Sequence, residues 1–180
     1  MLVGAALETA LGWIGLAFSD RGLRNLTFPR DSARATRRDL EDLGVFGPAD
    51  SVLVAPIART VERFAEARPV DLSTIALDLE GYPAFWVDAW QVIRSIPWGS
   101  TMTYGEVAET AGRPRAARAA GQATAHNPVA FVIPCHRVVA SNGLGGYGGM
   151  EPFKIELLRR EGSWPLRPRT AHSFEPLAPR

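Results

Sequence analysis

The chain is organised around Pro134-Cys135-His136-Arg137-Val138, a stretch that holds the only cysteine among 180 residues. A free cysteine has a pKa of about 8.5 and reacts as its thiolate, so it needs a base or a positive charge to react at neutral pH. His136 can serve as the base, and Arg137 supplies a positive charge. The apolar run 130–133 predicts a short buried strand before the cysteine, which then lies at a turn. A lone cysteine is also often a small buried hydrophobe, so these residues alone leave both interpretations open.

Composition limits the classes of protein that fit this sequence. Hydrophobic residues make up 46% and charged residues 22%, as in ordinary globular domains. One cysteine excludes an intramolecular disulfide framework and a cysteine-rich zinc site, so we expect a cytoplasmic protein without a metal or other cofactor. Residues 1–18 contain Glu8 and lack a basic start, which is typical of neither a signal peptide nor a membrane span.

The distribution of charge is uneven although the net charge is only +1. No acidic residue lies between Glu109 and Glu151, and this window contains four arginines, namely Arg113, Arg115, Arg118 and Arg137. A cationic patch on an otherwise neutral protein favours contact with phosphate groups. The alternative is a solvated surface paired with acids from elsewhere in the chain, such as Glu106 or Asp88.

The first part of the chain predicts a scaffold. Apolar runs separated by turn residues in 2–28 indicate a small antiparallel hairpin or meander. Asp31 or Ser32 can cap a helix that runs to about Leu43, and a second helix is expected within 50–67, beginning near Pro56. An extended connector then covers 68–83. We predict an N-terminal α/β scaffold domain over 1–80.

The second part is strongly helical. A helix is expected over 84–96, and Thr103 followed by Glu106 forms a capping box for a helix from 104 to 111. A second short helix, from about Pro114 to Ala125, is rich in alanine and glycine, and the pair predicts a helix-turn-helix. A last helix over 151–161 completes a domain over 81–162, followed by a Pro-rich tail over 163–180. The predicted fold class is α+β, with a winged-helix-like helix-turn-helix in the second domain.

Residues 82–162 resemble the catalytic domain of the O6-alkylguanine-DNA alkyltransferases, also called methylated-DNA-protein-cysteine methyltransferases. The matching motifs span about eighty residues: Ile96-Pro97-Trp98-Gly99, Thr103-Tyr104-Gly105, Ala116-Ala117-Arg118-Ala119, Asn127-Pro128, Ile133-Pro134-Cys135-His136-Arg137-Val138-Val139, Gly146-Tyr147, and Lys154 through Leu157-Leu158 to Glu161-Gly162. The first part of the chain resembles the family's variable first domain more weakly.

The resemblance implies a set of catalytic roles. Cys135 takes the alkyl group from O6 of guanine, His136 acts as its base through a bridging water, and Glu161 fixes the tautomer of the imidazole. Asn127 braces the turn before the cysteine, and Tyr104 donates a proton or hydrogen bond to the leaving guanine. The product thioether is not readily hydrolysed, so each molecule acts once. Some relatives hold zinc through cysteines in the first domain, and this chain has none there, so no metal is expected.

The resemblance also implies how the substrate is bound. The pocket is expected to involve Val138, Tyr147, Gly148 and Lys154. The partner is double-stranded DNA with little sequence preference, bound by a monomer through the minor groove, with the damaged nucleotide flipped into the pocket and Arg118 in its place. The other expected DNA contacts are Thr103, Arg113, Arg115, Ala117, Ala119, Gly121 and Gln122. O4-alkylthymine is a possible second substrate, and no membrane partner is expected.

Three other interpretations fit part of the pattern. A non-catalytic sensor that flips the lesion and recruits excision repair typically lacks the cysteine, so Cys135 favours transfer. A thiol hydrolase that acts on small substrates does not need the helix-turn-helix or Arg118. A transcription regulator needs polar base-reading side chains, which the alanine-rich second helix lacks.

Overall fold

Three antiparallel strands open the chain in the computed structural model, which describes residues 1–166. They are β1 (Leu2–Thr9), β2 (Gly12–Ser19) and β3 (Gly22–Leu26), and they form the meander that the apolar runs predict. A fourth strand, β4 (Val45–Pro48), pairs in parallel with β1 and gives the order β3-β2-β1-β4. The sequence predicts an antiparallel sheet in this domain but not β4, whose pairing is parallel because a helical crossover returns the chain beside β1 in the same direction.

Two helices follow the meander, on either side of β4. The first, α1 (Ala33–Asp42), is capped by Ser32, whose hydroxyl accepts a hydrogen bond from the Ala35 amide, as predicted. The second, α2 (Ser51–Ala65), begins before Pro56 and not near it, so the predicted start is wrong. The Asp50 carboxylate starts the helix by accepting the Val52 amide at 2.8 Å. Pro56 has no amide hydrogen, so the helix lacks one backbone hydrogen bond, to the Val52 carbonyl. Val52 is exposed, and the helix continues past Pro56.

The second part of the chain carries the remaining elements. These are α3 (Ala84–Ser95), β5 (Met102–Thr103), α4 (Tyr104–Thr110), α5 (Ala117–Ala125), β6 (Val138–Val139) and α6 (Glu151–Arg160). β5 and β6 pair in parallel. The capping box of Thr103 and Glu106 is present at the start of α4, as predicted. The helix α5 begins three residues after Pro114, because Arg115 has φ 70° and that backbone cannot be helical.

The apolar run 130–133 is buried, as predicted, but it forms a turn and not a strand. The Val132 amide donates to the Ala130 carbonyl at 2.8 Å, and the Ile133 amide donates to the Val129 carbonyl at 2.9 Å. Phe131 has φ 66°, a left-handed conformation that a bulky residue adopts only where its surroundings hold it. The chain therefore folds back on itself directly before Pro134.

The described chain divides into two compact units. The first contains residues 1–82 and 127–133, and the second contains residues 83–126 and 134–166. The segment 127–133 packs with the first unit: the Leu26 amide donates to the Pro128 carbonyl at 2.8 Å, and the rings of Phe64 and Phe131 lie 5.4 Å apart. The predicted domain 81–162 thus includes a segment that belongs with the first unit.

Two further predictions concern the chain as a whole. Of the predicted tail 163–180, residues 167–180 lie outside the described residues, so that prediction is not tested. Among the helices of residues 1–166, none combines the length and the apolar character that crossing a membrane requires.

Candidate active site

Cys135 is the first residue of a short 3₁₀ turn, Cys135–Arg137, that leads into β6. Its side chain is buried, with 3% of the residue exposed. The sulfur lies 3.6 Å from the Tyr147 hydroxyl oxygen, which is hydrogen-bonding distance for a thiol. A single tyrosine hydroxyl on the sulfur can donate to the thiolate once the thiol has lost its proton.

His136 and Glu161 form a fully buried pair. The Nε2 atom of His136 lies 2.8 Å from Oε1 of Glu161, and neither side chain is exposed. Burial lowers the pKa of His136, against the opposing influence of Glu161, so the ring is neutral near pH 7. We assign the proton to Nε2, because a carboxylate can only accept, and Nδ1 is then the basic nitrogen. The structure therefore brings two of the predicted catalytic groups into contact directly after Cys135.

Arg137 binds the same carboxylate. Its Nε atom lies 2.9 Å from Oε2 of Glu161, its Nη2 atom lies 2.9 Å from Oε1, and its Nη1 atom donates to the Ile96 carbonyl at 2.6 Å. Only 2% of the residue is exposed. The expectation that Arg137 belongs to a cationic surface patch is therefore wrong, because its charge is neutralised inside the protein by Glu161.

The contacts of Arg137 explain the ionisation of Glu161. Although burial opposes it, hydrogen bonds from His136 and Arg137 lower the pKa of Glu161. Glu161 thus stays ionised and orients the imidazole.

Two tyrosines interact electrostatically with Cys135. Burial and the proximity of Cys135 raise the pKa of Tyr104, and the same causes raise the pKa of Tyr147 well above its usual value. Both hydroxyl groups are therefore protonated near neutral pH and act as hydrogen-bond donors. The Tyr104 hydroxyl lies 3.4 Å from the Gly146 carbonyl, so the predicted proton donor contacts the glycine-rich loop, which is residues 141–149.

Lys154 is a buried cation whose three hydrogens are used by the backbone. Its Nζ atom donates to the carbonyls of Val138 at 2.7 Å, Leu144 at 2.8 Å and Gly146 at 3.4 Å. Burial lowers its pKa to about 8, while Cys135 and Glu151 oppose this shift. The predicted substrate-binding role of Lys154 is not tested, but these contacts assign its ammonium group to holding the loop.

Val138 and Gly148, two residues predicted to line the substrate pocket, differ in burial. Val138 is buried in β6. Gly148 is exposed, has φ 64°, and a side chain there would meet no atom within 4 Å.

Asn127 holds the turn before the cysteine. Its Nδ2 atom donates to the Ile133 carbonyl at 2.7 Å, and its Oδ1 atom accepts the Val129 amide at 3.0 Å. Both bonds lie within the segment 127–133. The side chain therefore closes the turn that immediately precedes Pro134, which is the bracing position expected for it.

The residues predicted to contact DNA lie in α5, in the turn before it and at the N-cap of α4. Arg118 and Gln122 are exposed on one face of α5, while Ala117, Ala119 and Gly121 are half-buried. The side chain of Arg118 makes no hydrogen bond or ion pair with any residue among 1–166. The guanidinium of Arg113 lies 5.0 Å above the Phe85 ring, and Thr103 bonds Glu106 as the helix cap, so both are partly used inside the protein. Arg115 is exposed in the turn between the helices.

Comparison with known proteins places the chain in a family. A family model described as "6-O-methylguanine DNA methyltransferase, DNA binding domain" matches residues 84–163. The methylated-DNA-protein-cysteine methyltransferase of Methanosarcina acetivorans is 35% identical over 162 residues, which cover 88% of this chain and 97% of that protein. The Mycobacterium leprae protein of the same name is 38% identical over 158 residues, which cover 87% of this chain and 90% of that protein. The chain belongs to the methylated-DNA-protein-cysteine methyltransferase family.

Solved structures of this methyltransferase family share the fold. The O6-methylguanine methyltransferase of Mycobacterium tuberculosis superposes with a TM-score of 0.71 at 31% identity, covering 91% of this chain and 94% of that one. The structure of the same organism's OGT in complex with DNA superposes with a TM-score of 0.71 at 31% identity, covering 89% of this chain and 92% of that one. These relatives confirm the α+β fold class and the predicted enzyme class, DNA alkyl repair and DNA binding. The roles of individual residues remain predictions.

Two functional contacts were not predicted from the sequence. The pairing of Arg137 with Glu161 joins residues 24 positions apart, and no spacing rule indicates it. Glu151 accepts the Tyr147 amide at 2.8 Å, beside the glycine-rich loop. An acidic residue in the first turn of a predicted helix is the one signal that could have drawn attention to Glu151.

Proposed function

We propose that this protein reverses O6-alkylguanine in DNA directly, by a single irreversible transfer of the alkyl group to Cys135. The observation that supports this most is the buried thiol at 3.6 Å from a tyrosine hydroxyl, directly followed by the His136–Glu161 pair. A nucleophile, a base and a carboxylate that orients the base together have the logic of a catalytic triad.

The transfer is a displacement at the alkyl carbon. His136 accepts the proton of the Cys135 thiol through a bridging water, and the thiolate attacks the carbon. The bond between sulfur and carbon forms as the bond between that carbon and guanine O6 breaks, and the electron pair of the broken bond stays on the guanine. The proton finally reaches the guanine ring, so the products are unmodified guanine and a neutral thioether. No step regenerates the thiol, so one protein molecule repairs one lesion.

Guanine is a poor leaving group, and Tyr104 is the residue we assign to assist it. Its hydroxyl is kept protonated by burial and by Cys135, which is the state a proton donor needs. Donation to N3 of guanine stabilises the negative charge as it develops. Tyr147, Val138 and Gly148 line the pocket in this proposal.

The DNA is bound by α4 and α5 as a winged-helix-like helix-turn-helix. The small residues of α5 allow its backbone to approach the minor groove, which is only about 6 Å wide. The damaged nucleotide rotates out of the duplex at a cost of a few kcal/mol, which is lower for a lesion that pairs badly. Arg118 occupies the vacated position, and Gln122, Arg115 and Thr103 contact the backbone nearby. Contacts of this kind give salt-dependent binding with little sequence preference.

Intact-protein mass spectrometry tests the proposal. The full chain is incubated with duplex DNA that contains O6-methylguanine, and Cys135→Ala serves as the control. We expect a gain of about 14 Da that saturates at one methyl group per chain and maps to Cys135. Tight lesion-specific binding without a mass gain would instead identify a sensor. The same assay with O4-methylthymine determines whether that base is also a substrate.

A further inference from the structure

The helix α6 contacts the glycine-rich loop with two charged side chains one turn apart, Glu151 and Lys154. We propose that Glu151 is a positioning residue for alkyl transfer, which holds the Tyr147 amide while Lys154 holds the Leu144 and Gly146 carbonyls. Its effect reaches the sulfur through Tyr147. This inference rests on the proposed function, because it concerns the same thiol.

The bond from Glu151 is well placed to orient Tyr147. The Tyr147 amide donates to Oε1 of Glu151 at 2.8 Å, and the hydroxyl of the same tyrosine lies 3.6 Å from the Cys135 sulfur. The backbone of one residue is thus tied to α6 while its side chain contacts the nucleophile. Hydrogen bonds from the amides of Tyr147, Glu151 and Gly149 lower the pKa of Glu151, so the carboxylate is ionised throughout the neutral range. A charged acceptor makes a stronger bond than a neutral one.

The loop depends on such anchors because of its glycines. Gly145, Gly148 and Gly149 all have positive φ, between 64° and 84°. Glycine loses more conformational freedom on ordering than any other residue. Lys154 holds the Leu144 and Gly146 carbonyls, and Glu151 holds the Tyr147 amide, so two acceptors and one donor within residues 144–147 are fixed by side chains of α6.

A purely structural role for Glu151 makes a different prediction. An acid in the first turn of a helix stabilises the helix dipole wherever it points, and such an effect changes only stability. A positioning role changes the reactivity of the sulfur in the folded protein. The chain has one cysteine, so the alkylation of native protein by iodoacetamide reports on Cys135 alone.

The experiment compares Glu151→Ala, Glu151→Gln and Glu156→Ala with the unmodified chain. Glu156 is the matched control, because it is an acid on the same helix whose carboxylate binds Arg160 at 3.0 Å. Two quantities are measured: the single-turnover rate of methyl transfer at saturating lesion duplex, and the pH dependence of iodoacetamide alkylation. Duplex affinity and thermal unfolding are measured in parallel.

We expect Glu151→Ala to slow the saturated transfer rate about tenfold with unchanged duplex affinity, and to move the midpoint of the alkylation profile to higher pH. Glu151→Gln keeps an acceptor oxygen and should recover most of the rate, and Glu156→Ala should match the unmodified chain. The inference is overturned if Glu151→Ala reacts like Glu156→Ala in both assays, or if its rate falls only as its folded fraction falls. If the unmodified chain transfers no methyl group, the proposed function fails, but the alkylation profiles still test Glu151.

Discussion

The buried ion pair of Arg137 and Glu161 should be costly to break from the carboxylate side. Both residues are almost fully buried, with 2% and 5% exposed. Replacing Glu161 with Gln leaves the guanidinium charge inside the protein without a counter-charge, and a change of this kind typically costs about 3–5 kcal/mol. Domains unfold with about 5–15 kcal/mol, so this single substitution removes a large share of the stability.

The stability lost when the arginine of the pair is replaced, in Arg137→Met, should depend on pH. In Arg137→Met the Glu161 carboxylate still contacts His136, and one of the charges that lower the pKa of His136 is gone. The pKa of His136 in the folded variant therefore rises relative to that in the unmodified protein. Because burial holds the folded-state pKa of His136 below its ordinary value in the unmodified protein, protonation of His136 at low pH costs stability, and a higher folded-state pKa in the variant makes this cost smaller. The loss of stability in Arg137→Met should thus be smaller at pH 6 than at pH 8.

Urea unfolding followed by tryptophan fluorescence measures these changes. The double variant Arg137→Met, Glu161→Gln removes both charges, and its loss should be at least about 2 kcal/mol smaller than the sum of the single losses. Arg160→Met is the control, since it breaks a partly exposed helix pair and should cost no more than about 1 kcal/mol. A loss below about 1 kcal/mol for Glu161→Gln, or strict additivity in the double variant, would refute the reasoning.

Two further substitutions test the DNA face and the scaffold. Arg118→Ala should lower the second-order rate of repair about tenfold or more, because the flipped state loses the side chain proposed to fill the stack, whereas Gln122→Ala should change it much less; equal effects of the two would contradict the assignment. Gly22→Ala should lower the unfolding free energy by about 2 kcal/mol or more, because its Cβ would lie 2.5 Å from the Ala76 carbonyl oxygen at φ 143°. Gly81→Ala, with positive φ but no atom within 4 Å, is the control, and a similar loss in both by thermal unfolding would show that the contact is not the cause.

Elements with a local chemical signal could be predicted from the sequence. Ser32 caps α1, and Thr103 with Glu106 caps α4, because a side-chain oxygen three residues before an amide satisfies it without tertiary help. The pairing of β4 with β1 could not be predicted, because it joins segments about forty residues apart and depends on the crossover. The start of α2 could not be predicted from Pro56, because the cap at Asp50 begins the helix and Pro56 lies inside it.

The active site shows the same division between local and distant contacts. Cys135 and His136 are adjacent in sequence, so their chemistry could be inferred directly. The surroundings of Arg137 could not, because only the fold brings Glu161 to its guanidinium. A buried arginine and an exposed arginine look alike in a sequence, which is why Arg137 was assigned to the surface.

The path of the backbone between the two units has a consequence for fragment design. The chain passes from one unit to the other three times, after residues 82, 126 and 133. A fragment expressed from residue 83 onward would keep the cysteine but strip the turn before it of Leu26 and Phe64, its hydrogen-bonding and aromatic partners. Fusing this fragment to another protein therefore requires new apolar contacts for Phe131 and a new hydrogen-bond donor for the Pro128 carbonyl. The first eighty residues thus hold the segment 127–133, and a replacement for them has to supply the same contacts to that segment.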